Sequence, residues 1–148
     1  MGMDVLGNDP SSKEGEYFCN NISWWHPLAT YCCNIAPDIT KHCKRWHSND
    51  GDGLNNALSL ALADRLDTEL AGGRAHLYAR ARQAAGDEEP CPMCKSTGAV
   101  CAPVGMVECP ICGGTGYAAV ANTFDPFTVE NLREFVAFLR GCGGFAIW

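Results

Sequence analysis

Apolar residues recur at the spacing of an α-helix in several segments, and the clearest segment carries a stripe of leucines. The stripe consists of Leu54, Leu58, Leu62, Leu66 and Leu70. Because residues four apart lie on one face of a helix, the stripe predicts a helix with one buried face, which Gly72 and Gly73 end. Residues 74–85 are rich in alanine and arginine and predict a further helix, joined by a short turn that favours antiparallel packing.

A second helical segment is rich in aromatic residues. Its apolar positions are Trp24, Leu28, Tyr31, Cys32 and Ile35. Pro27 is compatible with the first turn of a helix, and Pro37 ends the segment. We expect this helix to lie in the core. Since adjacent residues on a helix cannot both face inward, Trp24 and Trp25 could instead form a functional stacking platform.

Residues 128–148 predict another helix followed by an apolar tail. Thr128 is a favourable N-cap, and Gly141 ends the helix, whose apolar positions include Phe135 and Leu139. The tail, Phe145-Ala-Ile-Trp148, is apolar up to its last residue. We therefore expect it to be buried, as a short strand or as a plug in a helical core; the alternative is that Trp148 is an exposed anchor for a partner. Residues 1–16 are polar and predict a surface loop.

Two cysteine pairs provide the strongest chemical signal in the chain. Cys91-Pro-Met-Cys94 and Cys109-Pro-Ile-Cys112 are separated by 14 residues, and each pair is followed by a Thr-Gly dipeptide. Such pairs bring four thiolates to one point, the ligand set of a closed tetrahedral zinc site. The sequence predicts one structural zinc ion on Cys91, Cys94, Cys109 and Cys112, with residues 99–107 as the β-hairpin arm of a zinc ribbon. Disulfides or buried thiols are the alternative, which leaves the repeated Thr-Gly unexplained.

The residues after each pair carry a resemblance to a known family. Gly114 and Gly116 after the second pair, and Gly98 after the first, resemble the C-x-x-C-x-G-x-G module in the zinc domain of DnaJ-family cochaperones; Ser96 replaces the other glycine of the first copy. In that family four copies bind two zinc ions, so the two copies here imply one ion. The chain has no His-Pro-Asp tripeptide of a J-domain. The resemblance therefore implies the metal site and not the cochaperone activity.

Several short segments spread over the rest of the chain carry a second resemblance. They are Met1–Val5, Gly15–Phe18, Trp24–Leu28, Ser48–Gly51, Phe135–Arg140 and Cys142–Trp148. Together they resemble small uncharacterised proteins of bacteriophages and prophages. The resemblance implies a phage or prophage setting and no particular activity.

Composition indicates a folded protein without a membrane-spanning segment. Of the 148 residues, 47% are hydrophobic, which is enough for a core. No apolar run approaches the ~20 residues that cross a bilayer, and the N-terminus shows no signal pattern, so we expect a cytoplasmic protein that does not bind a membrane. In that setting, ten cysteines favour metal ligation and buried thiols over disulfides.

A second group of cysteine and histidine residues lies in the first third of the chain. It comprises Cys19, His26, Cys32, Cys33, His42, Cys43 and His47. Cys43 and His47 have a spacing that would place both on one helical face, and with His26 and Cys32 or Cys33 they could form a second zinc site. Cys43 and His47 could also act as a nucleophile and its base, and the whole group could serve a thiol-dependent or metal-dependent hydrolase. The alternative is a set of buried thiols in an aromatic core.

The charge of the chain argues against a broad nucleic-acid interface. Eleven basic against 17 acidic residues give a net charge of −6, whereas duplex binding requires clustered Lys and Arg. A small patch of Lys41, Lys44 and Arg45 could hold a phosphate or could be a solvated face. A nucleic-acid-binding zinc ribbon is the alternative to a protein-binding module. Its cations would be Arg74, Arg80, Arg82 and Lys95.

The predicted elements combine into a mainly α fold of the α+β class, with a zinc-ribbon-like β-hairpin insertion, a C-terminal helix and a docked apolar tail. We expect residues 1–86 to form the helical core, residues 87–119 the zinc insertion, and residues 120–148 to pack back on the core. The expected function is that of a zinc-stabilised protein-binding module and not an enzyme. In the phage setting it would be an accessory protein acting on a host or phage protein, for example by inhibiting a host defence system.

Overall fold

The computed structural model describes residues 2–84, 88–119 and 126–148, and the chain divides into two compact units. The core unit comprises Met1–Arg80 and Phe124–Trp148, and the cysteine unit comprises Ala81–Thr123. In chain order the elements are β1 (Gly2–Gly7), β2 (Tyr17–Asn21), α1 (Ile22–Ile35), α2 (Pro37–Thr40), β3 (Gly53–Asn55), α3 (Asn56–Ala71), α4 (Arg74–Ala84), β4 (Glu88–Pro90), β5 (Ala99–Ala102), β6 (Gly105–Glu108), β7 (Tyr117–Ala119), α5 (Val129–Gly141) and β8 (Gly144–Ile147).

Four antiparallel strands form the sheet of the core unit, in the order β2-β1-β8-β3. The two inner strands come from opposite ends of the described chain, and Val5 on β1 pairs with Ile147 on β8. On the other side of β8, Phe145 pairs with Leu54. Side chains alternate along β1, so that Met3 and Val5 are both buried on the core face.

This sheet makes the prediction of a mainly α fold wrong, because the described residues form a mixture of five helices and eight strands. The polar segment predicted as a surface loop supplies β1, whose backbone groups pair with β2 and β8. Met3 and Val5 are the only buried residues of β1, and two alternating apolar positions are too few to predict a strand. Pairing with residues far along the chain creates this strand, and a local pattern does not encode it.

Most of the leucine stripe forms α3, which packs on α5. Leu62 and Leu66 are fully buried, whereas Leu54 belongs to β3 and not to the helix. The side-chain oxygens of Asn55 and Thr128 accept N–H donors from the first turns of α3 and α5, which confirms Thr128 as an N-cap. None of the helices in the described ranges is long and apolar enough to cross a membrane.

Aromatic rings from β2, α1, α5 and β8 form one cluster in the core. The ring centroid of Phe135 lies 5.1 Å from that of Phe18, 5.7 Å from that of Trp25 and 6.4 Å from that of Phe145. Trp25 is fully buried, whereas Trp24 is partly exposed. The aromatic helix α1 is therefore part of the core, with one of its two adjacent tryptophans facing inward.

The apolar tail forms β8, and its residues differ in burial. Phe145 and Ile147 are buried on the core face, whereas Trp148 is 53% exposed. The expectation that the whole tail is buried is wrong for Trp148, because alternate residues of a strand face opposite sides of the sheet. The Trp148 backbone still pairs with Asp4, and its ring lies so close to Gly51 that a Cβ there would be 2.6 Å from the indole.

Candidate metal centre

Short strands carry the two cysteine pairs. In the cysteine unit, β4 pairs with β7 and β5 pairs with β6, all antiparallel, and β5–β6 is the hairpin that the sequence predicted. Cys91 directly follows β4, and Cys109 directly follows β6. Each repeat therefore runs from a strand, through a cysteine pair and a turn, into the next strand.

The four cysteine sulfurs lie close enough to share one metal ion, since all four Sγ atoms are within 4.8 Å of one another. The Sγ atoms of Cys91 and Cys109 are 3.8 Å apart, and those of Cys94 and Cys112 are 3.7 Å apart. Tetrahedral bonds of about 2.3 Å place two sulfurs about 3.8 Å apart. A disulfide would instead require about 2.05 Å. The donor set and its spacing thus fit a tetrahedral metal ion.

The two repeats have the same backbone conformation around the sulfurs. The N–H of Lys95 donates to the carbonyl oxygen of Cys91, and the N–H of Gly113 donates to that of Cys109, both at 2.8 Å. The residues with positive φ also stand at equivalent positions: Lys95, Ser96 and Gly98 in the first repeat, and Gly113, Gly114 and Gly116 in the second. Glycine adopts this conformation without a clash, whereas other residues incur about 1–2 kcal/mol. The first repeat therefore keeps the shape of the second at two positions that lack glycine.

The last glycine of each repeat holds the two repeats together. The N–H of Cys91 donates to the carbonyl oxygen of Gly116 at 3.0 Å, and the N–H of Cys109 donates to that of Gly98 at 2.9 Å. A Cβ on Gly98 would lie 2.4 Å from the carbonyl oxygen of Gly114, and one on Gly116 would lie 2.6 Å from that of Ser96. These close approaches explain why glycine follows each threonine.

Backbone N–H groups donate hydrogen bonds to two of the thiols. Gly98 donates to the Sγ of Cys94, and Gly116 donates to the Sγ of Cys112, each over 3.3 Å. Burial raises the pKa of Cys112, but hydrogen bonds, led by the one from Gly116, outweigh it and lower the pKa to about 6. Because the thiolate is the form that binds a metal, these donors support ligation.

The second group of cysteine and histidine residues does not gather into a site of this kind. Among the described residues, the cysteine pairs are the only set of three or more potential ligands close enough to share an ion. Cys32 is buried in the core, and Cys19 is exposed on β2. Burial raises the pKa of Cys43 to about 12, so that its thiol is protonated at neutral pH and is not an activated nucleophile.

The spacing of Cys43 and His47 failed as a signal because residues 41–52 form turns and no helix. His47 instead meets His26, with ring centroids 4.6 Å apart in an edge-to-face arrangement. His42 is exposed at the surface. The basic patch of Lys41, Lys44 and Arg45 borders a surface pocket in this segment. The sequence does not predict this pocket, because the turns that shape it have no regular period.

The cations proposed for nucleic acid are divided between the two units. Arg74 is paired with Glu69, with an N···O distance of 2.9 Å. Arg74 and Arg80 belong to the core unit, whereas Arg82 and Lys95 belong to the cysteine unit. Each unit by itself therefore offers too few of these cations to follow a phosphate backbone.

The fold and the site define an α+β chain with a compact unit built around four cysteines that could hold a metal ion. No protein-family model matches the sequence, and comparisons with curated proteins and with solved structures give no match either. What the metal centre does is therefore inferred from its own geometry and chemistry.

Proposed function

We propose that the chain is a zinc-stabilised protein-binding module, in which Cys91, Cys94, Cys109 and Cys112 hold one structural zinc ion. Four thiolates in a tetrahedral arrangement suit zinc, and they leave no coordination position for a substrate or water. Following the resemblance of its other segments, we place the module in a phage or prophage accessory protein. Its target would be a host or phage protein, such as a component of a host defence system.

The observation that carries the structural role of the ion is the composition of the small core of the cysteine unit. Its buried cluster consists of Cys91, Cys94 and Cys109, against which Val100 and Cys112 are partly buried. Apolar burial of this size contributes little against the entropy of ordering some thirty residues. The binding free energy of a metal supplies the missing stability in small domains of this type.

The binding role is supported by the apolar side chains that the cysteine unit exposes. Met93 and Ile111 occupy the same position in the two pairs and are 53% and 61% exposed. Val104 and Met106, at the turn of the β5–β6 hairpin, are 88% and 68% exposed. A metal-bound loop that fixes apolar side chains in solvent is suited to the apolar surface of a partner protein.

Charge favours a protein over a nucleic acid as this partner. Between residues 90 and 117 the sequence has one cation, Lys95, and one acidic residue, Glu108. A nucleic-acid interface requires several phosphate contacts from Lys and Arg, which this segment lacks. A hydrolase is disfavoured by the closed ligand set and by the protonated Cys43 thiol.

Metal content tests the first half of this proposal. Protein purified without added metal should contain about one zinc ion per chain by elemental analysis, and Cys109→Ser should abolish that content. Iron in place of zinc would refute the identity of the ion. A folded, metal-free protein with reduced thiols would refute the module itself.

A matched pair of surface variants tests the second half. Ile111→Ser removes an apolar side chain beside the metal, and Leu77→Ser removes one of similar exposure, 64%, from α4. Proteins captured from a host lysate by the parent should be lost with Ile111→Ser and retained with Leu77→Ser, and the loss should recur with the purified partner. Equal capture by both variants would place the binding surface elsewhere.

A further inference from the structure

A surface pocket lies in the core unit, away in sequence from the four cysteines. Its volume is about 690 Å³, and residues between Cys33 and Ser48 form its walls. This segment runs from the end of α1 through α2 into the turns that precede β3. A pocket of this size falls within the range of small-molecule sites, ~300–1,000 Å³.

The inner wall of the pocket is apolar and is held by the core. Thr40, Cys43 and Trp46 are 4%, 3% and 4% exposed. Their polar groups are occupied within the protein: the Thr40 hydroxyl donates to the carbonyl oxygen of Ala36 at 2.9 Å, and the Trp46 indole N–H donates to that of Thr40 at 3.0 Å. Trp46 also stacks on Trp25, at a centroid distance of 6.0 Å. The wall is thus rigid, and the half-buried Cys33 and the exposed Pro37 beside it present apolar surface to a ligand.

Positive charge surrounds this apolar wall. Lys41, Lys44 and Arg45 all line the pocket, in a chain whose net charge is −6. Arg45 is paired with Asp50, with an N···O distance of 3.1 Å. Lys41 and Lys44 form no ion pair with any residue that the structure describes. Two ammonium groups are therefore available to a ligand.

Asp50 and Asp52, the acidic groups nearest in sequence, offset only part of this charge. The carboxylate of Asp52 accepts hydrogen bonds from the backbone N–H groups of Lys44 and Arg45, at 2.7 and 3.1 Å, and so stabilises this turn. Burial raises the pKa of the Cys33 and Cys43 thiols, so that both are neutral. The apolar wall is thus bordered by the ammonium groups of Lys41 and Lys44, and no thiolate lies beside them.

We propose that this pocket binds a small amphiphilic anion, with its apolar body against Cys33 and Pro37, beside the buried Trp46, and its carboxylate or phosphate group at Lys41 and Lys44. An apolar body alone would not use the two unpaired ammonium groups. A simple inorganic anion would leave the apolar wall in water. The same chemistry occurs in a free acyl acid or ester and in an anionic lipid, and the two sources can be separated by experiment.

Titrations of the full-length, zinc-containing protein followed by ¹⁵N–¹H NMR test this site. Decyl phosphate and decanoate should shift the amide signals of residues 33–48, and decanol should bind these residues more weakly. The variant Lys41→Gln/Lys44→Gln should weaken decyl phosphate binding about tenfold, since it removes two exposed ion pairs. The control Lys13→Gln/Arg133→Gln removes the same charge from exposed residues outside the pocket and should leave affinity unchanged.

Three results would overturn the proposal. The first is the absence of shifts in residues 33–48 with either anion. The second is equal affinity for decanol and decyl phosphate, which would mean that the pocket does not select charge. The third is an equal loss of affinity in both double variants. The spectra also report folding, and the comparison of anion with alcohol on the parent protein is decisive even if a variant unfolds.

A final comparison assigns the source of the ligand. Cosedimentation with vesicles of phosphatidylcholine and phosphatidylglycerol that depends on Lys41 and Lys44 would identify a lipid headgroup as the physiological form. Binding of monomeric decyl phosphate without vesicle binding would identify a free organic anion.

Discussion

The backbone N–H of Cys109 donates a hydrogen bond of 2.9 Å to the carbonyl oxygen of Gly98. The reciprocal bond joins Cys91 to Gly116, so each repeat is closed by a glycine of the other. The metal centre is therefore held by a symmetric backbone frame as well as by its sulfurs. A substitution that disturbs either the positions of the sulfurs or these backbone hydrogen bonds should therefore disrupt both.

The frame predicts that alanine at position 98 is more damaging than alanine at position 113. Both glycines have positive φ, 75° at Gly98 and 60° at Gly113. A Cβ at Gly98 would clash with the carbonyl oxygen of Gly114, whereas one at Gly113 meets nothing within 4 Å. Gly113→Ala should cost about 1–2 kcal/mol from conformation alone. Gly98→Ala should cost more, measured as zinc affinity in competition with a chelator; equal losses would mean that the frame is unimportant.

Loss of a ligand should loosen the cysteine unit and leave the core unit folded. In Cys109→Ser, amide exchange of residues 90–117 should accelerate, because the proposed zinc ion would supply most of their order. Exchange in α3 and α5 should stay slow, since their apolar contacts lie within the core unit. Cys101→Ser is the matched control, because Cys101 is exposed and lies outside the four-cysteine cluster. Simultaneous unfolding of the whole chain would show that the two units are one cooperative structure.

Buried thiols should make the core unit less stable in alkaline solution. Burial raises the pKa of Cys43 from its ordinary 9.0 to about 12, so above pH 9 the unfolded chain loses this proton before the native protein does. The free energy of unfolding should fall between pH 9 and pH 12, at a limiting slope of about 1.4 kcal/mol per pH unit for one thiol. Below pH 9 this contribution is constant.

Urea unfolding at several pH values measures this effect. Cys43→Ala should lose less stability than the parent as the pH rises from 9 to 11, while the exposed-site control Cys101→Ala should follow the parent. Any effect of pH on the metal centre is common to all three proteins and cancels in the comparison. Parallel curves for the parent and Cys43→Ala would contradict the prediction.

The tail should contribute to stability through Phe145 much more than through Trp148. Phe145 is 2% exposed and packs against Trp46, Phe135 and Phe138, with centroids 5.9–6.4 Å away. Phe145→Ala should therefore cost about 3–5 kcal/mol in unfolding free energy. Trp148 is half exposed, and Trp148→Ala should cost about half as much or less. If Trp148→Ala lowered the unfolding free energy more than this, the contact of the indole with Gly51 would contribute more stability than its exposed fraction suggests.

Sequence patterns predicted the parts of the molecule that depend on near neighbours. The leucine helix, its Thr128-capped partner and the hairpin between the cysteine pairs all follow from local period or turn chemistry. The meeting of the four cysteines also follows from sequence, because the repeated C-P-x-C and Thr-Gly spacing builds two equal halves.

Features that depend on distant residues were not predicted. The segment around Met3 and Val5 becomes a strand only through its partners, and Leu54 continues the leucine period but belongs to β3 because it pairs with Phe145. Cys43 and His47 have a helical spacing in a segment without a helix. In each case a tertiary constraint outweighs the local pattern, which is why the pocket beside Trp46 was also missed.

The strand order and the cysteine spacing imply that the two units can fold at different times during synthesis. In the core sheet, Val5 on β1 pairs with Ile147 on β8, and β1 and β3 are joined only through β8. The sheet therefore cannot be completed before β8 has been made. The four cysteines are all present once residue 112 has been made, and each facing pair is only 18 residues apart. The cysteine unit can thus assemble while the core sheet is still incomplete, whereas β1 stays without one of its neighbours until residue 147 has been made. Until then β1 has an unpaired edge, and an edge of this kind is a template for pairing with another chain.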